Sequence, residues 1–443
     1  MHARIGCPQA KHTLDMTHKK ACATMLLGLC LLPSLLHAPD VSAKRRPPPP
    51  KPAVAAPVAP AAPPTWSAGT ARNRVPDIGA AARQVDYFAQ QLVTHKGLPG
   101  LAIAIVQNGR VVTMHGYGRT GGPGGEPVTT DTVFRLASLS KAFAATLTAQ
   151  LVSEGAMDWD RPIINQLPAF KLRDYASSQK VTVRDVLSQS VGLTHNTYDR
   201  DLEGNVPYPL LAEKLADAPL QCSPGQCYGY QNVAFSLVGD LVFASTGDFY
   251  SHQVEKKIFH PLGMYSSTYG RDALEASPSW ARPHVRGRGG WVPVRPKESY
   301  YHVPPAAGVN SSIHDMSQWL IAQMGHRPDV LSDPLLRQIH TPQVRTPGEI
   351  HGSAWRRERL RNAWYALGFR IYDYGGHTLV FHGGAVQGYR GLIGFLPDED
   401  VGIVVLWNSE TSAPSGLLPS LMDRVLNMPP RDWLGVDELP END

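Results

Sequence analysis

The chain has 443 residues, 42% hydrophobic and 18% charged, a composition that excludes a disordered chain and fits a large globular enzyme of one or two structural units. Its formal charge of +4 is local: residues 1–51 carry eight Lys/Arg against two acids, so the rest of the chain is net −2. That distribution gives no support to a nucleic-acid partner.

The N-terminus reads as an export signal. Lys19-Lys20 precede an apolar run over residues 21–36, and Val41-Ser42-Ala43 offers small residues for cleavage after Ala43. The run is shorter than the roughly 20 residues of a membrane span, and an uncleaved anchor is the alternative. Met16 is an alternative start. A large residue, Leu29, directly precedes Cys30, which argues against a lipid-modified cysteine. The expectation is a periplasmic or secreted protein, or one tethered to a membrane by its N-terminus. Residues 44–75 form a Pro/Ala-rich linker, whose 47–64 stretch reads as a polyproline-II tether of about 55 Å when extended. A folded domain is expected over 76–428, with a C-terminal tail over 429–443.

In chain order, a helix is predicted over 80–95, then strands over 101–106 and 110–115, joined by the hairpin signal Asn108-Gly109. A helical run follows over 142–154, with further helices at 181–188 and at 313–324, the last opened by Ser311-Ser312. Residues 285–300 and 343–362 read as loops bordering a cleft. The basic stretch 356–361 reads as a solvated loop or helix face. Strands return at 369–372, 379–382, 391–395 and 401–407. The pattern predicts an α+β fold: one antiparallel sheet from both chain ends, flanked by helices, with a mostly helical insertion and the chemistry between them.

Cys7, Cys22 and Cys30 lie in the segment export would remove. Cys222 and Cys227 remain, flanking the turn sequence Ser223-Pro224-Gly225-Gln226, where a disulfide is sterically plausible. Two sulfurs without two clustered partners do not make a zinc site. No metal or organic cofactor is expected.

Three short motifs carry the chemistry. Ser138-Leu139-Ser140-Lys141 opens the 142–154 helix, where positions i and i+3 share a face. Lys141 is thereby placed beside the Ser138 hydroxyl, which needs a base to become a nucleophile. Tyr230-Gln231-Asn232 follows the Pro224-Gly225 turn. A phenol near a lysine is expected to lose its proton more easily and to serve as base and then acid; Asn232 offers an amide to a substrate carbonyl. His382-Gly383-Gly384-Ala385 is expected to end a strand in a glycine-rich turn, with the Ala385 and Ser138 N–H groups forming an oxyanion hole.

Together the motifs resemble the serine β-lactamase and penicillin-binding-protein superfamily, nearest its class C β-lactamase-related branch, which includes D-alanyl-D-alanine carboxypeptidases, D-aminopeptidases and esterases. The likeness spans about 85–408 and includes residues 97–104, 183–188, 304–309 and 391–397. It implies Ser138 as acylated nucleophile, Lys141 and Tyr230 as the base pair, Asn232 on the cleft wall, and His382, Gly383 and Gly384 beside the leaving side. The third motif departs from the class C pattern, where lysine and threonine stand at the positions of His382 and Gly383 and help bind a carboxylate. Neutral histidine supplies at most one donor. Arg390 is a candidate replacement charge. Gln189-Ser190-Val191-Gly192-Leu193 departs slightly, with no consequence legible from sequence. The expectation is a serine hydrolase acting through an acyl-enzyme on a β-lactam or D-alanyl peptide. Alternatives are a carboxylesterase or D-amino-acid amidase of the same fold, or a non-catalytic β-lactam or cell-wall sensor that stays acylated.

Overall fold

Strands from the two ends of the folded chain meet in one sheet of the computed structural model, which describes residues 75–437. The expected signal over 1–43, with Cys7, Cys22 and Cys30, and the linker up to residue 74 lie outside the described residues. Eight strands build the sheet: β1 (Gly100–Gln107), β2 (Arg110–Gly118), β3 (Val344–Arg345), β4 (Leu360–Tyr365), β5 (Arg370–Tyr374), β6 (His377–Val386), β7 (Tyr389–Leu396) and β8 (Val401–Trp407). Their order is β2-β1-β8-β7-β6-β5-β4-β3, with every neighbouring pair antiparallel. The β1–β2 hairpin turns at Asn108 (φ 51°) and Gly109 (φ 68°), the backbone a two-residue primed turn demands.

Both faces of the sheet centre are covered, so β1 and β8 are buried at every residue and read as continuous apolar runs. One face, with Leu101, Ile103, Val405 and Trp407, packs against α1 (Gly79–Thr94) and the C-terminal helix; Trp433 and Leu434 fold back onto this core. The other face, with Ala102, Ala104, Val404 and Leu406, packs against α2 (Ser140–Ser153) and α3 (Ile313–Gln323). The C-terminal helix, α4, spans Leu417–Val425. α2 is apolar almost all round, as a helix inside a core must be; Lys141 is its one charged residue and is fully buried. α3 starts where Ser312 accepts a hydrogen bond from the Asp315 amide.

Two stretches expected as loops are structured. Residues 285–300 contain most of a small hairpin, His284–Gly287 with Gly290–Pro293. Residues 343–362 hold β3, a helix over Ala354–Arg359 and the start of β4. The sequence pattern hid them because β3 is two residues long and the helix is short and basic. The stretch 356–361 is also not a simple solvated face: Arg356 pairs with Glu349 at 2.6 Å and Arg359 with Asp423 at 2.8 Å, with side chains only 22% and 15% exposed.

Candidate active site

The turn before α2 is a 3-10 segment, Ala137–Leu139, rather than the first turn of the helix itself. Ala137 stands at φ 50°, a conformation that costs a non-glycine residue energy and is retained where the surroundings over-determine it. It lifts Ser138 out of the core: between residues 132 and 149, Ser138 alone is not buried.

Lys141 Nζ lies 3.5 Å from Ser138 Oγ, 2.6 Å from Asn232 Oδ1 and 3.1 Å from the Ala306 carbonyl. Burial pushes its pKa down to about 7, aided by Arg370 and opposed by Asp199. The Asn232 and Ala306 oxygens only accept. A neutral Lys141 therefore spends both N–H bonds on them, and its lone pair is left for the Ser138 hydroxyl. Tyr230 is also hydrogen-bonded to Ser138, but its phenol is not acidified as expected. Burial holds its pKa up at about 12, although Arg370 and the Ser138 bond pull downward. Desolvation outweighs the nearby cations, so near neutrality Tyr230 stays protonated while the Lys141 amine is available in its free form.

Asn232 lines the cleft, but its amide is already engaged. Besides receiving Lys141, it donates Nδ2 to Asp199 Oδ2 at 2.8 Å. Gln189, the unexplained departure in the sequence, clamps the motif: its Oε1 accepts from the Gln231 amide at 2.6 Å and its Nε2 donates to the Gln231 carbonyl at 3.2 Å. His195 Nδ1 accepts from the Tyr230 amide at 3.1 Å. A disulfide joins Cys222 and Cys227, closing the turn that leads into Tyr230.

The third motif sits inside β6 and not in a turn. β5 pairs with β6 only as far as Arg370↔Phe381, whereas β7 pairs on to Val386. Residues 382–386 thus leave one strand edge free, and Gly383, Gly384 and Ala385 line the cleft with Ser138. Gly384 is required there: a Cβ would lie 2.2 Å from the Leu136 carbonyl oxygen. His382 does not line the cleft. It is buried, with Nε2 3.2 Å from the Tyr365 hydroxyl and Nδ1 2.9 Å from the Gly383 carbonyl. Burial, then Arg370 and Lys141, holds its pKa well below the ordinary value, so a neutral His382 contributes no charge to a substrate.

The cleft encloses about 450 Å³. Sequence reasoning missed several residues that shape it. Arg370 lies over the rings of Tyr230 and Tyr365, 5.5 Å from each centroid, and pairs with Glu349 at 2.5 Å. Asp199 and Tyr300 also line the cleft. None stands in a short motif; the signal available was only a cluster of charges in long-range contact. Arg390 is half-buried in the cleft, with Nε donating to the Glu410 carbonyl at 3.2 Å. Among the described residues no group of three His, Cys, Asp or Glu is placed to hold a metal, and no helix is long and apolar enough to cross a membrane.

The profile of the Beta-lactamase family matches residues 85–422. Protein flp of Staphylococcus aureus (strain MRSA252) is 24% identical over 348 residues, 78% of this chain and 66% of its own length. The unguisins hydrolase ungD' of Aspergillus campestris is 28% identical over 355 residues, 76% of this chain and 64% of its own. The chain thus spans less than two thirds of the length of these curated relatives. Among solved structures, the octameric penicillin-binding protein homologue from Pyrococcus abyssi superposes with a TM-score of 0.70 at 25% identity, covering 81% of this chain and 79% of that one.

Proposed function

The chain belongs to the beta-lactamase family of hydrolases, and from that premise we propose that it is an exported serine hydrolase that forms an acyl-enzyme on Ser138. The observation that carries the reading is the fully buried Lys141 amine, 3.5 Å from Ser138 Oγ, with its other hydrogen bonds committed to acceptors; burial favours its neutral form. Ser138 Oγ attacks the carbonyl carbon as its proton passes to Lys141. The oxyanion is held by the Ser138 and Ala385 N–H groups. The C–N or C–O bond then breaks, and the leaving amine or alcohol takes a proton through Tyr230, which is restored from Lys141. Water attacks the ester by the reverse relay and frees the acid.

The substrate class we favour is an amide, short peptide or ester of a small acyl group. Neutral, buried His382 leaves the place of the class C lysine without charge, which disfavours efficient β-lactam turnover. Half-buried Arg390 in the cleft supports a second reading, a substrate with a carboxylate on its amine side, either a D-alanyl peptide, which releases D-alanine, or a β-lactam, whose amine stays tethered to the acyl-enzyme. Export is supported by the apolar run at 21–36 and by the Cys222–Cys227 bond, which persists in oxidising compartments.

The test is intact-protein mass spectrometry, with product assay, on D-amino-acid amides, D-alanyl-D-alanine peptides, simple esters and a chromogenic cephalosporin. Turnover of an amide, peptide or ester that disappears in Ser138→Ala supports the proposal. Multiple turnovers of the cephalosporin alone would restore the β-lactamase assignment. A permanent adduct without turnover would make the protein a sensor, and turnover surviving in Ser138→Ala would sink the mechanism.

A further inference from the structure

The Lys141 pocket contains a carboxylate that the acyl-transfer scheme does not use. Asp199 stands at the start of the short helix Asp199–Glu203. Its Oδ2 accepts from Asn232 Nδ2 at 2.8 Å and from the Tyr300 hydroxyl at 3.4 Å, and Tyr300 reaches Glu203 at 3.0 Å. Its Oδ1 is buried with no hydrogen-bond partner. Leaving a carboxylate oxygen buried and unsatisfied is costly, and a neutral amide of the same shape would bury no charge there.

An ionised carboxylate only accepts hydrogen bonds. Facing Asp199, Asn232 can present only its NH₂ group, so its Oδ1 must face Lys141, where it receives Nζ at 2.6 Å. The orientation of that amide decides whether Lys141 meets an acceptor or a donor. An acceptor fixes the amine and consumes one N–H; a donor would compete for the lone pair that Ser138 needs. The charge of Asp199 also acts on Lys141 across this one amide, in opposition to Arg370.

We propose that Asp199 is a positioning residue that locks the Asn232 amide and, against Arg370, sets the charge carried by Lys141. It acts through other groups and touches no reacting atom. The groups facing Lys141 from the elements packed around it are Ser138 on the preceding turn, Tyr230 and Asn232 on the motif loop, Phe235 beyond it, the Ala306 carbonyl, Asp199, Arg370 on β5 and His382 on β6. Within that set Asp199 is the only anion and the one group that raises the Lys141 pKa, so neutralising it removes that pull, while Arg370 keeps its own partner Glu349.

The inference rests on Lys141 being the base for Ser138, and the experiment separates the two. The rate of Ser138 phosphonylation by a fluorophosphonate probe is measured against pH in the full domain, in Asp199→Asn and in Asp199→Ala. Asp199→Asn keeps the shape and removes the charge. Its acid limb is expected to move to lower pH by about one unit, tenfold in rate on that limb, with a lower plateau because the Asn232 amide is free to flip. Asp199→Ala, which cannot accept from Asn232, is expected to move the limb the same way and to lower the plateau further. An acid limb unmoved in both variants, with unchanged thermal unfolding, overturns the proposal while leaving the Ser138 mechanism intact. Labelling that persists in Ser138→Ala, or a native profile with no acid limb near pH 7, overturns the underlying reading and the proposal with it.

Discussion

The turn that carries Ser138 and the strand that faces it contribute to the cleft in opposite ways. The turn presents side chains: Ser138 projects into the cleft, and Lys141 supports it from a fully buried position. β6 presents main chain, because Gly383 and Gly384 have no side chains and His382 is turned into the core. A wall made of main chain binds charge through N–H groups alone, so it suits an oxyanion better than a fixed carboxylate. The remaining charge in the cleft comes from Arg356, Arg370, Arg390 and Asp199, which reach it from other elements.

The comparison is broken most severely at the turn. Ser138→Ala is expected to lower kcat/KM by roughly four orders of magnitude or more, while the thermal midpoint stays near that of the native protein, since the hydroxyl is only partly buried. Steady-state kinetics beside a thermal melt check both. At the strand, the expected damage depends on which glycine is changed. Gly384→Ala forces a Cβ to 2.2 Å from the Leu136 carbonyl oxygen, so the turn must shift; a displacement near 1 Å costs about a hundredfold in kcat. Gly383→Ala meets nothing nearer than 3.5 Å and is expected to fold normally. Equal activity in the two variants would show that β6 and the Ser138 turn do not pack as closely as the geometry requires.

A smaller effect sharpens the electrostatic side. Lys141 accepts a proton only as the free amine, and its pKa is lowered to about 7. Below that pH the ammonium predominates, so the acylation rate is expected to fall about tenfold per unit and to flatten above it. The opposite sign, activity rising as pH falls through 7, would mean that the charged amine is the working form. The acylation rate of Ser138 between pH 5 and 9 is the measurement.

What sequence made legible follows the range of the forces involved. The strand over 401–407, the Asn108-Gly109 hairpin and the 313–324 helix rest on local patterns, and each reappears within a residue or two. Ser138 and Lys141 are three residues apart, and the local chain, a 3-10 turn running into α2, brings them together. The pKa of Lys141 was not legible, because it depends on complete burial and on Asp199 and Arg370, both distant in sequence. The lysine was expected to acidify Tyr230, whereas desolvation dominates and raises it. The facing of His382 was also hidden. In a strand covered on both sides, alternation carries no signal about which side chains meet the cleft.

His382→Asn tests that last point with the smallest expected change in rate. The two hydrogen bonds of His382 define one neutral tautomer: Nδ1–H donates to the Gly383 carbonyl and Nε2 accepts from the Tyr365 hydroxyl. Asparagine reproduces the first with its amide N–H and is too short to reach Tyr365, whose buried hydroxyl then loses a partner at a cost of about 1–3 kcal/mol. The variant should therefore melt earlier, yet keep kcat/KM within about tenfold and leave the acid limb where Lys141 sets it. A general acid or base in contact with substrate would instead contribute about 10²–10⁴-fold. A loss of that size in a folded protein, with the pH profile displaced, would move His382 from the core to the chemistry and make β6 a side-chain wall like the turn it faces.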